Sequence, residues 1–155
     1  MSTKIHWIIK PFDKLSVTEL YNYLQLRTQV FVVEQNCVFQ DMDGRDAEAL
    51  HLLAYDGDKN VACARLFDAG VYYHLSSIGR VVVHPEYRSL KLGHQLMKNA
   101  VEGIKTHFKQ HDIKIGAQLY LKKFYESHGF ISSSEIYLED DIEHIEMVKI
   151  TAKQH

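Results

Sequence analysis

The chain has 155 residues with 8 Gly, 2 Pro and 2 Cys, enough for one compact domain spanning 1–155 and too short for a two-domain enzyme. At 46% hydrophobic and 25% charged residues it can bury a core, which excludes a disordered or collagen-like chain. Lys+Arg number 18 against Asp+Glu 20, a formal charge of -2, so the cationic excess of a nucleic-acid binder is missing and only a local basic patch stays open.

No apolar run reaches the length of a signal-peptide core or of a bilayer span, so a cytoplasmic protein with no membrane partner is expected, folding alone or as an oligomer such as a homodimer. In a reducing compartment Cys37 and Cys63 read as free thiols. Neither sits in a CxxC pair, and Cys63 lies between Ala62 and Ala64 in an apolar run, as a small core residue would.

Ile5, Trp7 and Ile9 alternate with polar neighbours, predicting a half-buried strand that Pro11 stops. A helix follows, with Ser16 as N-cap and Glu19 three residues on. Val17, Leu20, Tyr21, Leu24 and Phe31 recur on one face of it, with Arg27 between them. Residues 40–46 form a turn-rich loop, after which Leu50–Tyr55 and Val61–Phe67 flank Asp56-Gly57-Asp58-Lys59-Asn60 as a hairpin.

A third apolar strand, Ile78–Val83, ends at His84-Pro85 and leads into a helix running from Gly93 to Phe108. Ile113–Ala117 predicts a strand, Leu119–Ser127 a short helix, and Phe130–Leu138 and His144–Ile150 two closing strands around an acidic turn. Hairpins mixed with crossovers in the order β-α-β-β-β-α-β-α-β-β predict an α/β (mixed α+β) fold, its mixed sheet covered by helices.

The segment from Gly79 to Met97 carries the most chemistry. A buried strand turning through a short loop into a helix leaves backbone N–H groups unpaired at the positive end of the helix dipole. Arg88 and Lys91 add cationic side chains there and Gly93 allows close backbone approach, a combination suited to a pyrophosphate or to plain solvation.

The run Val83-His84-Pro85-Glu86-Tyr87-Arg88, with Gly93 five residues after Arg88, resembles the acetyl-CoA-binding motif of the GNAT superfamily of N-acetyltransferases. Arg88-Ser89-Leu90-Lys91-Leu92-Gly93 matches its Arg/Gln-x-x-Gly-x-Gly/Ala pattern, except that Lys91 stands where the superfamily usually has Gly. Leu26–Gln35, Asp41-Met42-Asp43, Gly116-Ala117-Gln118, Phe124–Phe130 and Glu139–Met147 resemble the ElaA-like branch, so the likeness covers nearly the whole chain.

The resemblance implies the GNAT fold, a splayed mixed sheet flanked by helices whose fourth and fifth strands part to admit the acetyl-CoA co-substrate. It implies that the backbone of Val81, Val82 and Val83 pairs with the pantetheine arm and that a backbone N–H, that of Val82, holds the oxyanion. By the same likeness Ser89, Leu90, Lys91, Leu92, Gly93 and His94 join Arg88 in the phosphate loop, and Gln118 is a further cofactor contact. Tyr125 matches the tyrosine that protonates the departing CoA thiolate. A thiol titrates near ~8.5 and a phenol near ~10, so a Tyr hydroxyl stabilises the leaving sulfur without prior ionisation; the alternative is that Phe124, Tyr125 and Phe130 only pack the sheet.

The function implied is acetyl transfer to a primary amine of a small molecule or peptide through a ternary complex, the alternative being a CoA-binding regulatory module with little turnover. An amine arrives mainly as an ammonium and must lose a proton, for which Glu34 and His144 are the candidate bases, each with a plainer reading as a polar end-of-element residue. Acidic residues in 41–48 and 139–146 would attract a cationic acceptor if they face one mouth, and are otherwise solvated turns. The 10 His give no metal set: His107 and His111 are spaced i, i+4, but Phe108 stands where a zinc-protease helix needs Glu.

Overall fold

The computed structural model describes residues 4–151, the Leu90 side chain excepted. Its strands are β1 (His6–Pro11), β2 (Leu50–Asp56), β3 (Lys59–Phe67), β4 (Ser76–Val83), β5 (Ile113–Gln118), β6 (Ile131–Ser132), β7 (Tyr137–Glu139) and β8 (Ile142–Lys149), and its helices α1 (Val17–Thr28), α2 (Leu92–Phe108) and α3 (Lys122–Glu126). The strands form one sheet in the order β1-β2-β3-β4-β5-β8-β6, with β7 also on β8. Among the described residues only β4 and β5 run parallel. Pro11 ends β1 opposite Leu50, on an edge strand where its missing N–H costs no ladder bond.

Strand alternation sends side chains to both faces of the sheet, and each face is covered. Ile5, Trp7 and Ile9 pack into the larger core with Leu52, Leu66, Leu96, Met97 and Ile104, beneath α2 and α3. Ile8, Leu53, Cys63 and Val82 face the other way, onto Tyr23, Leu26 and Val30. Each fully buried Leu, Ile or Val contributes about 1.5–3 kcal/mol. A Cβ on Gly103 would stand 2.9 Å from Ile9 Cδ1 and 3.1 Å from Leu66 Cδ1, so glycine there lets α2 settle onto the sheet.

α1 begins as expected: Ser16 Oγ accepts the Glu19 N–H at 3.0 Å and Glu19 Oε1 accepts the Ser16 N–H at 2.8 Å. Its inward stripe keeps Leu20 and Phe31 of the expected one, half-buried against the smaller core, and departs from it elsewhere. Val17 and Tyr21 are 86% and 70% exposed, while Tyr23, Leu26, Arg27 and Val30 are buried at i, i+3, i+4 and i+7. The stripe is rotated because two polar residues go inside with partners: Arg27 against Asp41 and Asp46, and Tyr23 against His51. After Thr28 the chain widens into a π-helical turn, Gln29–Glu34, with Gln35 N–H bonded to Val30 O and Cys37 N–H to Val32 O.

The expected closing strand 130–138 is two strands, β6 and β7, both pairing with β8. Residues 133–136 leave the ladder between them, where Ser133 N–H and Ser134 Oγ instead bond Glu146 O and N–H. Asp140 and Asp141, both at positive φ, make the two-residue turn from β7 to β8. His107 lies in the last turn of α2, but the helix stops at Phe108, so His111 is off it and the two imidazoles share no helical face.

Candidate active site

β4 pairs with β5 only at Ser76–Ile113 and Ser77–Lys114. Beyond those pairs the strands part, and the gap opens into a cleft of about 610 Å³. A β-bulge lies at the parting point: Arg65 and Cys63 on β3 face Gly79 and Val82 on β4, so β4 carries one extra residue. Arg80 in that bulge has φ 48°, a left-handed conformation that is uncommon for a side-chain-bearing residue.

The backbone directions follow from the register. His84 N–H donates to Val61 O, which makes Val83–Ala62 a non-hydrogen-bonded pair and Val82–Cys63 a hydrogen-bonded one. The Val82 N–H is thus committed to β3, and the oxyanion role expected of it has no free donor there. Val83 points its carbonyl to the parted side, where Arg88 Nε donates to it at 3.1 Å. Arg80 O faces the Cys63 thiol on β3 at 3.7 Å, and in a trans peptide the following N–H, that of the cleft-lining Val81, points away from that thiol.

At the far end of β4 a 3₁₀ turn, Pro85–Leu90, leads to α2. Lys91, standing in the place expected for glycine, is the N-cap with φ 58° and ψ 24°. The left-handed turn is therefore kept with a lysine in it. No side chain caps the first N–H groups of α2 and no acidic residue lies in its first turn, which leaves the N-terminus open to an anion. A Cβ on Gly93 would meet only the Phe124 ring at 3.5 Å, an ordinary contact, so the protein's own packing does not require glycine there.

Of the expected site residues, Val81, Val82, Val83, Arg88, Gly93, Gln118, Tyr125 and His144 line the cleft together. Leu92 is buried in the core, the His94 ring is paired with His128 at 2.9 Å, and Ser89 and Lys91 sit outside the cleft wall. The Leu90 side chain lies outside the described residues. Glu34 is not in the wall either. It holds Arg88 by Nη2–Oε1 at 2.7 Å and Nη1–Oε2 at 3.2 Å.

The segment after the π-helical turn crosses the cleft at two further points. The Gln35 and Gln118 amides exchange hydrogen bonds at 3.1 and 3.2 Å, and Cys37 Sγ donates to Asp140 O at 3.3 Å. Gln35 was not among the expected residues, nor were Phe39, Tyr72 and Tyr120, which form an aromatic wall of the cleft. Phe39 and Tyr72 leave a trace in sequence as aromatic residues at loop positions, whereas Tyr120 lies in the 3₁₀ turn Leu119–Leu121 and Gln35 leaves none.

Tyr125, on α3, is 6% exposed. Burial, with Tyr120 adding to it, pushes its phenol well above the ordinary value and keeps it protonated at neutral pH. His144 Nδ1 lies 2.7 Å from Ile142 O, and a carbonyl only accepts, so Nδ1 carries the proton. Nε2 is then the atom free to take one, 3.4 Å from Glu139 Oε2. Cys63 is fully buried, and burial pushes its thiol up to about 12, which removes it as a nucleophile.

The acidic loop of 41–48 is neutralised from within. Arg27 Nε binds Asp41 Oδ2 at 2.9 Å and its Nη1 binds Asp46 Oδ1 at 2.7 Å; Arg65 takes both Asp43 oxygens at 2.9 and 2.6 Å; Arg45 pairs with Glu48. Burial alone would raise the Asp43 carboxyl, but the Arg65 hydrogen bonds and charge outweigh it and hold it well below the usual carboxylate range. The expected negative mouth thus reduces to Glu139 and Asp140 on the opposite wall.

A sequence model of the acetyltransferase (GNAT) domain matches residues 17–151. The chain belongs to the GNAT acetyltransferase family. Protein ElaA of Escherichia coli strain K12 is 42% identical over 147 residues, covering 94% of this chain and 96% of that one. The crystal structure of E. coli ElaA superposes with a TM-score of 0.88 at 41% identity, over 95% of this chain and 100% of that one. An acyl-CoA N-acyltransferase from Pseudomonas aeruginosa gives 0.88 at 39%, over 94% and 99%. This GNAT protein is an acyltransferase of the ElaA-like branch, and its family performs acyl-CoA-dependent acetyl transfer. A GNAT acetyltransferase from Elizabethkingia anophelis with acetyl-CoA bound shares the fold at 15% identity and a TM-score of 0.67, over 96% of this chain and 99% of that one. Among the described residues no group of three or more His, Cys, Asp or Glu is placed to hold a metal ion, and no helix is long and apolar enough to cross a membrane.

Proposed function

We propose that this enzyme moves an acetyl group from acetyl-CoA directly to a primary amine of a small molecule or peptide, both held in the cleft between β4 and β5. The observation that carries the reading is that one cleft joins the Gly93 end of α2, the parted edge of β4, the Tyr125 phenol and the His144 imidazole. The residues fit the donor on two counts. Gly93 is glycine although neither its φ nor its packing needs it, which keeps a cradle open at the N-terminus of α2, and the β4 edge, unpaired with β5 beyond Ser77, offers backbone to an extended arm, the Val83 carbonyl once Arg88 releases it.

When bound, acetyl-CoA supplies an activated thioester carbonyl. Arg88, Lys91 and the N–H groups opening α2 hold its phosphates, with Ser89, Leu90, Leu92 and His94 contributing backbone; Val83 pairs with the pantetheine arm, and Gln118 contacts it once Gln35 is displaced. The Val81 N–H faces the carbonyl oxygen and stabilises the charge that develops there. His144 Nε2 takes a proton from the ammonium and the freed amine attacks as the C–N bond forms; the C–S bond breaks while the Tyr125 hydroxyl gives its proton to the departing thiolate, and the second proton shed by the acylated nitrogen returns to the Tyr125 phenolate. Glu34, bound to Arg88, is a positioning partner of the phosphate loop in this scheme and not the base.

Glu139 and Asp140 at the acceptor mouth favour a cationic amine. Free-thiol release from acetyl-CoA across cationic, neutral and anionic amines tests the scheme. Release that rises with cationic amines supports it. A preference for anionic amines overturns the acceptor assignment, and acetyl-CoA binding with no release for any amine favours a regulatory module.

A further inference from the structure

Arg80 is the residue at which β4 changes direction, and it is held from below. Its Nε stands 2.7 Å from Asp41 Oδ1, an ion pair in which the N–H does not point along the contact, and its Nη2 donates to Asp41 O at 2.9 Å. Asp41 is itself buried, its other oxygen bound by the fully buried Arg27. The chain of contacts thus runs from α1 through Asp41 to the bulge. Left-handed φ is unfavourable for arginine, so something outside the strand must select it. The dihedrals of Arg80 orient the next peptide unit, whose carbonyl meets the Cys63 thiol and whose N–H, that of the cleft-lining Val81, is turned the opposite way.

We infer that Arg80, anchored through Asp41 on Arg27, is a positioning residue that fixes the left-handed bulge and thereby aims the Val81 N–H at the reacting acyl group. The inference rests on the reading of β4 given under the proposed function. Arg80 lines the cleft, but its guanidinium is engaged on Asp41, with Asp43 Oδ2 3.6 Å from Nη2, so the role inferred for it runs through its own backbone.

Comparing glycine with alanine separates this role from a direct contact. Both substitutions remove the guanidinium, but glycine enters left-handed φ without penalty and alanine does not. Losing one preorganised backbone donor lowers kcat by about 10²–10³, so Arg80→Ala is expected to lose about 100-fold in kcat. The KM for acetyl-CoA should change less than about 3-fold, since the phosphate loop is untouched. Arg80→Gly should recover at least about 5-fold of kcat over Arg80→Ala, and Arg80→Lys, which keeps the charge toward Asp41, should lie between alanine and the wild type. In the ligand-free protein, amide hydrogen exchange at 80–82 should quicken in Arg80→Ala with little change at β1 and β2. Equal kcat for the glycine and alanine variants overturns the inference, as does wild-type kcat in Arg80→Ala or unchanged exchange at 80–82. If Arg80→Ala does not fold, Arg80→Lys against Arg80→Gly supplies the comparison, and equal kcat with unchanged exchange in both again overturns it. Failure of the wild type to bind acetyl-CoA would instead remove the underlying reading, which the exchange measurement does not use.

Discussion

Glu34 and Arg88 face each other across 54 residues of sequence and close a two-pronged ion pair at the mouth of the cleft. The carboxylate considered as a base and the guanidinium considered for the phosphates are therefore partners. Exposed pairs of this kind contribute about 0–1 kcal/mol. Releasing Arg88 is thus cheap, and Glu34→Gln is expected to keep kcat within about 3-fold while tightening acetyl-CoA by up to about 5-fold at low salt. Initial rates and calorimetry check this. A kcat loss of about 10² or more, the size expected for removing a general base, would return Glu34 to the chemistry.

Tyr125→Phe removes the hydroxyl and keeps the ring that packs against Phe124 and Phe130. Turnover is expected to fall about 10²-fold or more while acetyl-CoA affinity and thermal stability change little. Turnover equal to the wild type would leave Tyr125 as packing alone.

His51 makes stability depend on pH. Its Nε2–H donates to Asp46 O and its Nδ1 accepts the Tyr23 hydroxyl, both at 2.8 Å, so the buried neutral ring is fully paired. Burial, the largest cause, lowers its pKa. A folded value below the unfolded one, near ~6.5, means that this contribution is fully present above that pH and is lost as the pH falls below it. The melting temperature should therefore drop between pH 7 and pH 5, and His51→Gln should be less stable at pH 7 with a flatter profile. Equal slopes for the two proteins would show that other groups set the dependence.

Lys91 holds a left-handed φ that glycine adopts freely, so Lys91→Gly is expected to raise stability by about 1 kcal/mol. The same change removes a positive charge beside the phosphate site. Acetyl-CoA affinity should weaken and become less dependent on salt, read from titrations at two ionic strengths. An unchanged salt dependence would place the Lys91 ammonium away from the phosphates.

Much of the fold was legible because it rests on local pattern. The Asp56–Asn60 hairpin, the Ser16–Glu19 capping box and the extent of α2 all follow from residue types at fixed spacing. The α1 stripe was not, because Arg27 and Tyr23 are buried by partners 14 to 28 residues away. The β4 bulge was hidden for a related reason. Gly79-Arg80-Val81 reads as an ordinary strand until Asp41 is in place to hold Arg80. In the site, the phosphate loop was marked by its own motif, whereas the Gln35–Gln118 and Glu34–Arg88 pairs are set by how a π-helical turn meets a parted sheet, which no spacing announces.

Calorimetric titration of the wild type and of Gly93→Val with acetyl-CoA tests the account most directly, since both the cleft and the chemistry depend on that cradle. One site per wild-type chain is expected, with a dissociation constant between about 1 µM and 1 mM, typical of enzyme substrates. Binding should be lost in a folded Gly93→Val, whose side chain fills the space kept open at the N-terminus of α2. No binding by the wild type, or undiminished binding by Gly93→Val, would contradict it.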